Sequence, residues 1–172
     1  PPELGFYNKI IDKSSLKQIV ADCYKLLSNE DTAKVVDSLK QLGFHYATKS
    51  GITIAMKDIE VPQAKPKLLE EAEERITIIE NQYRRGLITD DERYKSVIGV
   101  WMETTEKITE TISQTLDRYG GIYMMATSGA KGNISQIRQM AGMRGLMTDP
   151  AGRIIDFPIK LSLREGLSVL EY

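Results

Sequence analysis

Hydrophobic and polar positions alternate most regularly over residues 64–117. In the first half Leu69, Ala72, Ile76, Ile79 and Tyr83 recur at spacings of 3, 4, 3 and 4. In the second half Tyr94, Ile98, Trp101, Thr105, Ile108 and Ile112 recur at 4, 3, 4, 3 and 4. That alternation keeps one apolar stripe turned toward a partner helix, as in a coiled-coil seam. Between the stripes, Gly86 suits the left-handed residue that closes a helix. Thr89 with Glu92 three residues on is a capping box, and Asp90 and Asp91 suit the positive end of the next helix. One helix stops and another starts within about three residues, which predicts an antiparallel hairpin. Two helices alone bury little, so the pattern predicts a hairpin projecting from a small body made by residues 1–63 with 118–172.

The body reads as mixed. Residues 4–11 and 52–56 alternate as short strands do, and 154–159 reads as extended. Leu16, Ile19, Val20, Cys23, Leu26 and Leu27 form a broad helical face, with Asp12 or Ser14 as the N-cap. Ala33, Val36, Leu39 and Leu42 predict a second helix ending at Gly43. The apolar run 122–126 reads as core under the hairpin's root. Asn133 or Ser135 caps a helix carrying Ile137, Met140 and Ala141. Asp149-Pro150-Ala151-Gly152 is a turn. A last helix is predicted to begin near Arg164. The expected fold class is mainly α with a few short strands.

Composition narrows the chemistry. The net charge of −1 gives no global field toward nucleic acid or an anionic surface. The distribution is less even: residues 64–117 hold 8 Lys or Arg against 12 Asp or Glu, and residues 118–164 hold 7 against 2. One cysteine, Cys23, excludes an internal disulfide, and with His45 as the only histidine the usual zinc sites are excluded too. No apolar run approaches a membrane span, and no signal peptide is visible. The absence of an initiator methionine, and an end inside an apparently helical pattern, read as an excised piece of something larger. Ser128-Gly129-Ala130-Lys131-Gly132-Asn133 is glycine-rich but lacks P-loop spacing. No nucleophile–base pair and no Asp-x-Asp cage for Mg²⁺ is present. Three readings stay open on this basis: a hairpin-bearing piece of a larger machine, a stand-alone coiled-coil adaptor, and a nucleic-acid binder through residues 131–164.

Longer strings add to this. Ser128-Gly-Ala-Lys-Gly-Asn-Ile-Ser-Gln-Ile-Arg-Gln-Met-Ala-Gly-Met-Arg-Gly-Leu-Met147, then Asp149-Pro150, Pro158-Ile159 and Arg164-Glu165-Gly166-Leu167, resemble the largest subunit of bacterial RNA polymerase, β′. Tyr83-Arg84-Arg85-Gly86-Leu87-Ile88-Thr89, Glu92-Arg93-Tyr94, Tyr123-Met124-Met125-Ala126 and Phe6-Tyr7-Asn8-Lys9 fit the same family. The resemblance implies that the hairpin forms the rim helices of the secondary channel, through which nucleoside triphosphates enter. It implies that Gre-type cleavage factors or DksA-like regulators dock there. The tip that would meet them is Arg85, Gly86, Leu87, Ile88, Thr89, Asp90, Asp91, Glu92 and Arg93. It implies an F-loop over residues 136–152 that packs on the bridge helix and trigger loop, with Lys131, Gln136, Arg138 and Arg144 on the channel side. Residues 163–172 would lead into the bridge helix. Lys131 stands where the family usually has arginine, so a bidentate phosphate grip is lost there. The family's metal-binding motif is absent. The resemblance therefore implies no catalytic, cofactor or metal residue in this chain, with Mg²⁺ held elsewhere in a nucleotidyltransferase. Partners implied are the other polymerase subunits, DNA, RNA and triphosphates. The implied location is the cytoplasm, on the nucleoid, or a plastid for a split subunit.

Overall fold

The structure is a computed structural model that describes residues 4–169 and 171. Six α-helices follow in order: α1 (Lys13–Leu26), α2 (Asn29–Ser50), α3 (Lys65–Arg84), α4 (Asp90–Thr115), α5 (Gly121–Ser128) and α6 (Ile134–Ala141). A short 3₁₀ turn, Met56–Asp58, precedes α3. The chain forms two compact units. One comprises residues 1–54 and 119–132, and the other residues 55–118 and 133–172. This division differs from the one drawn on the pattern, because residues 133–164 pack along the hairpin.

In the first unit α1 packs against α2. Asp12 caps α1 by accepting from the Ser15 N–H at 2.8 Å. That bond and those to Ser14 and Ser15 side chains hold its carboxyl down to about 2. Cys23 is buried on the apolar face of α1, as the spacing requires. The second helix does not end at Gly43. It runs from the Ser28 N-cap to Gly51, which takes the left-handed conformation at φ 63°. An interior glycine costs only about 1 kcal/mol, which the flanking turns absorb. Residues 40–50 of α2 are exposed on every side. The strands expected at 4–11 and 52–56 are absent: apart from 3₁₀ conformation at Leu4 and Met56 both segments are irregular, without ladder partners. The run 122–126 belongs to α5, none of whose residues is fully buried.

In the second unit α3 and α4 form an antiparallel pair. Arg93 reaches Glu80 at 3.2 Å, and Arg75 reaches Glu103 at 2.8 Å, as two oppositely running helices require. At 1.5 Å per residue the arms are roughly 30 and 39 Å long. The seam is wider than the stripe. Val97, Val100 and Thr104 are buried together with Trp101, Ile108 and Ile112. A helix with one narrow stripe has one neighbour, and α4 has two. Its first face meets α3. Its second meets residues 137–160, where Gly142 lies so close to Ile108 and Ile112 that a Cβ would fall 2.8 and 2.7 Å from them. Thr105 faces Met143, which is fully buried.

Beyond α6 the chain folds into a loose hairpin rather than a strand. Gly145 and Ile159 exchange backbone bonds of 3.0 and 2.9 Å, and Thr148 bridges Ile154. Asp149 turns the chain, its carbonyl accepting from Gly152 N–H at 3.0 Å and its side chain from Arg153 N–H at 2.8 Å. The extended reading of 154–159 therefore survives only as isolated bridges. The helix expected from Arg164 does not form. Ser162 and Glu165 make a turn, and Gly166 leaves it at φ 83°, outside helical space. Ser168 and Glu171 then pair as in a helix N-terminus, Glu171 Oε2 accepting from both the N–H and the hydroxyl of Ser168. Leu170 and Tyr172, also read as bridge-helix entry, lie outside the described residues.

Candidate functional site

Two features of the second unit stand out: the hairpin's tip and the segment that braces it. The tip is closed by local chemistry. Gly86 takes φ 70°, its N–H donates to Tyr83 C=O at 2.8 Å, and Leu87 N–H donates to Gln82 C=O at 3.0 Å. Those two bonds form a Schellman motif. Thr89 then caps α4. Its hydroxyl accepts from Glu92 N–H at 3.3 Å, and Glu92 Oε2 accepts from Thr89 N–H at 2.8 Å. These bonds from Thr89 hold the Glu92 carboxyl below the usual range. The turn is therefore set by its own residues and not by packing.

Its side chains divide into two groups. Arg85, Leu87, Asp90, Asp91 and Glu92 are exposed, and Ile88 is half-buried. Leu87 is 68% exposed, a large apolar side chain held in water at the apex. Asp91 meets only Lys95, at 2.6 Å on the surface. Arg93 points the other way. Its guanidinium binds Asp90 at 3.0 Å, Glu80 at 3.2 Å and Asp156 at 3.1 Å. Those carboxylates, Asp90 foremost, raise its pKa further above the ordinary range. The adjacent Tyr94 hydroxyl donates to Ile154 C=O at 2.7 Å, and Arg153 lies 4.7 Å over its ring. Arg93 and Tyr94 thus latch α4 to the 153–156 loop.

A cleft of about 430 Å³ lies on this flank, lined by Ile76, Glu80, Arg93, Trp101, Phe157 and Lys160. Lys160 spans it, binding Glu73 at 2.7 Å with its ammonium 5.5 Å from the Trp101 ring. Its charged groups are paired with one another, so it offers no free acid or base.

The remaining expected positions are dispersed. Gln136 is exposed on α6, whose N-terminus Asn133 caps at 2.9 Å. Arg138 and Arg144 are half-buried, and the Arg138 Nε is enclosed without a partner. Lys131 is exposed on the loop after α5, in the other compact unit. Among the described residues no three His, Cys, Asp or Glu side chains cluster as a metal would need. Glu80, Asp90 and Asp156 all ion-pair with Arg93. No helix among the described residues is long and apolar enough to cross a membrane.

Two residues that periodicity did not single out anchor the hairpin's root. Lys65, at the start of α3, is the one charged residue that is buried among those described, 2% exposed. It donates to Glu165 Oε2. The same oxygen accepts from the Ser162 N–H at 2.8 Å and hydroxyl at 2.6 Å. Ser162-x-x-Glu165 is a capping-box spacing, so half of this site was visible as a motif. Its partner, 100 residues away, was not.

The second unit is thus a helical hairpin braced along one flank and exposed at its tip. Comparison with known proteins identifies the family. The model for RNA polymerase Rpb1, domain 3, matches residues 5–59, and that for RNA polymerase Rpb1, domain 4, matches residues 88–168. The chain belongs to this family, in its bacterial β′ form. It is 59% identical over 172 residues to DNA-directed RNA polymerase subunit beta' of Desulforamulus reducens, covering all of this chain and 14% of that subunit. The same subunit of Dehalococcoides mccartyi is 63% identical and that of Heliobacterium modesticaldum 52%, again over this whole chain and over 13% and 15% of their lengths. The chain thus spans about one seventh of the relatives it matches.

Proposed function

We propose that this segment forms part of the rim of the secondary channel in a DNA-directed RNA polymerase, a nucleotidyltransferase that works in the cytoplasm on the nucleoid. The hairpin of α3 and α4 offers a docking surface to a Gre-type cleavage factor or a DksA-like regulator. Residues 136–152 act as the F-loop, supporting the bridge helix and trigger loop. The remaining subunits, DNA, RNA and triphosphates are met through the complete enzyme, whose Mg²⁺ is bound by other parts.

The supporting observation is the division of the tip. Arg93 and Tyr94 hold α4 to the 153–156 loop, while Arg85, Leu87 and Asp91 remain exposed on a turn that the Schellman and capping-box bonds hold still. A preformed exposed surface costs little ordering entropy when a partner binds.

Asp91 supplies the test, because its surface pair with Lys95 contributes little to folding. Asp91→Lys is introduced into the complete polymerase, and a cleavage factor is titrated against a backtracked complex. The factor concentration for half-maximal cleavage is expected to rise about tenfold, with unassisted elongation unchanged. An unchanged titration removes the tip from the contact surface.

A further inference from the structure

A buried lysine is an unusual way to begin an exposed hairpin. Desolvating an ammonium is costly unless a carboxylate and further hydrogen bonds compensate it. Here both are present. Lys65 sits in the first turn of α3, and its ammonium meets Glu165 with only 3% of its side chain exposed. Glu165 is part-exposed and closes the turn by accepting from Ser162 N–H and hydroxyl. Ser162 is fully enclosed.

The turn is held from two further directions and closed by one bond of its own. Leu163 N–H donates to Gln139 C=O at 3.1 Å and Arg164 N–H to Met140 C=O at 3.2 Å, both at the end of α6. Gly166 N–H donates to Ser162 C=O at 3.1 Å. The Arg164 guanidinium donates to Met56 C=O, just ahead of α3. The hairpin's root, the end of α6 and the 3₁₀ turn therefore converge on residues 162–166. Of these contacts, only the Lys65–Glu165 pair joins two side chains of opposite charge.

We propose that Lys65 and Glu165 are positioning residues. The pair pins residues 162–166 to the hairpin's root, fixes the direction in which the chain leaves that turn, and so couples the root to nucleotide addition. The coupling to nucleotide addition rests on the polymerase reading above; the pin itself does not. An arginine could not replace the lysine on equal terms, since its planar fork is larger than a compact ammonium. A hydrophobic residue of similar length would fill the space and leave Glu165 without its counter-charge.

The test uses the assembled polymerase carrying Lys65→Met or Glu165→Gln. The second change is isosteric and removes the charge and one acceptor oxygen without changing volume, so it serves if the first prevents assembly. Amide exchange is read over residues 160–171 and over 76–89. Nucleotide addition is read as maximal rate and as KM for the triphosphate. The expected result is exchange faster by about tenfold or more over 160–171, with 76–89 unchanged. The maximal rate is expected to fall about threefold or more with KM within about twofold, the pattern of a lost contribution to positioning rather than to ground-state binding. A general loss of structure would instead raise exchange in both segments and move both constants. Unchanged exchange over 160–171 in Glu165→Gln overturns the pin. Faster exchange there with an unchanged rate overturns the coupling. Neither result touches factor docking at the tip, which the Asp91 titration judges separately.

Discussion

The two ends of the hairpin are both fixed, but by different physics. At the tip the turn itself is closed by restraints within a few residues, the Schellman bonds, the Thr89–Glu92 box and the Asp90–Arg93 pair, and only Arg93 at its edge also reaches Glu80 and Asp156. Most of it is exposed, so each interaction competes with water. At the root the decisive restraint joins residues 100 apart and is buried on the lysine side. Local bonds make a shape that survives without support. A buried long-range pair makes a shape that depends on the whole unit being folded. The tip suits a surface that must be ready before a partner arrives, and the root suits a joint that must not slip.

The sharpest way to break this contrast is Lys65→Met. Removing one partner of a buried pair strands the other, and costs about 3–5 kcal/mol when both are fully enclosed. Glu165 keeps partial access to water, so roughly 2–4 kcal/mol is expected from urea unfolding followed by far-ultraviolet circular dichroism. A loss as small as that of a surface pair would erase the distinction between root and tip.

Arg93→Met comes next. It releases Glu80 and Asp156 together, but both are part-exposed, and the methionine retains the apolar stem. A loss of about 1–2 kcal/mol is expected. Fluorescence of the sole tryptophan, Trp101, which lines the same cleft, reports the rearrangement.

Acid sharpens the same comparison at smaller scale. Burial raises the Glu165 carboxyl, but its bonds to Lys65 and Ser162 outweigh that, and the net displacement is downward from 4.5. A depressed carboxylate stabilises the fold fully above its unfolded value and loses that contribution as pH falls through its folded one. Stability is expected to hold above about pH 5 and to decline below 4.5, less steeply in Glu165→Gln. Equal slopes for the two proteins would show that other carboxylates carry the acid response. Thr89→Ala is the mildest change, about 1 kcal/mol for loss of an N-cap. Its mark is faster amide exchange confined to the first turn of α4. Exchange that spreads to the root would show that the ends are not independent.

Where sequence reading succeeded, the cause is local. Gly86, Thr89 and Glu92 dictate their own turn, because each bond spans three to five residues. Asp12, Asn133 and Asp149 are legible for the same reason. The misreadings share an opposite cause. Residues 4–11 and 52–56 alternate like strands, yet alternation makes a strand only where a second strand supplies the ladder. Gly43 carries the mark of a helix end, yet α2 passes through it, since one glycine is a modest cost against a continuous run. Val97, Val100 and Thr104 fell outside the stripe because α4 serves two neighbours, and a single period describes only one.

The sequence by itself determined the hairpin, its closed tip and, through long matching strings, the polymerase family. Those follow from short-range hydrogen bonds and from the order of residues, which need no third dimension. Only the tertiary structure decided that residues 133–164 brace α4, that Arg93 faces inward while Asp91 faces water, and that Lys65 meets Glu165. The physical reason is burial. What a charged side chain does depends on whether water or another charge surrounds it, and that is settled by segments far away along the chain.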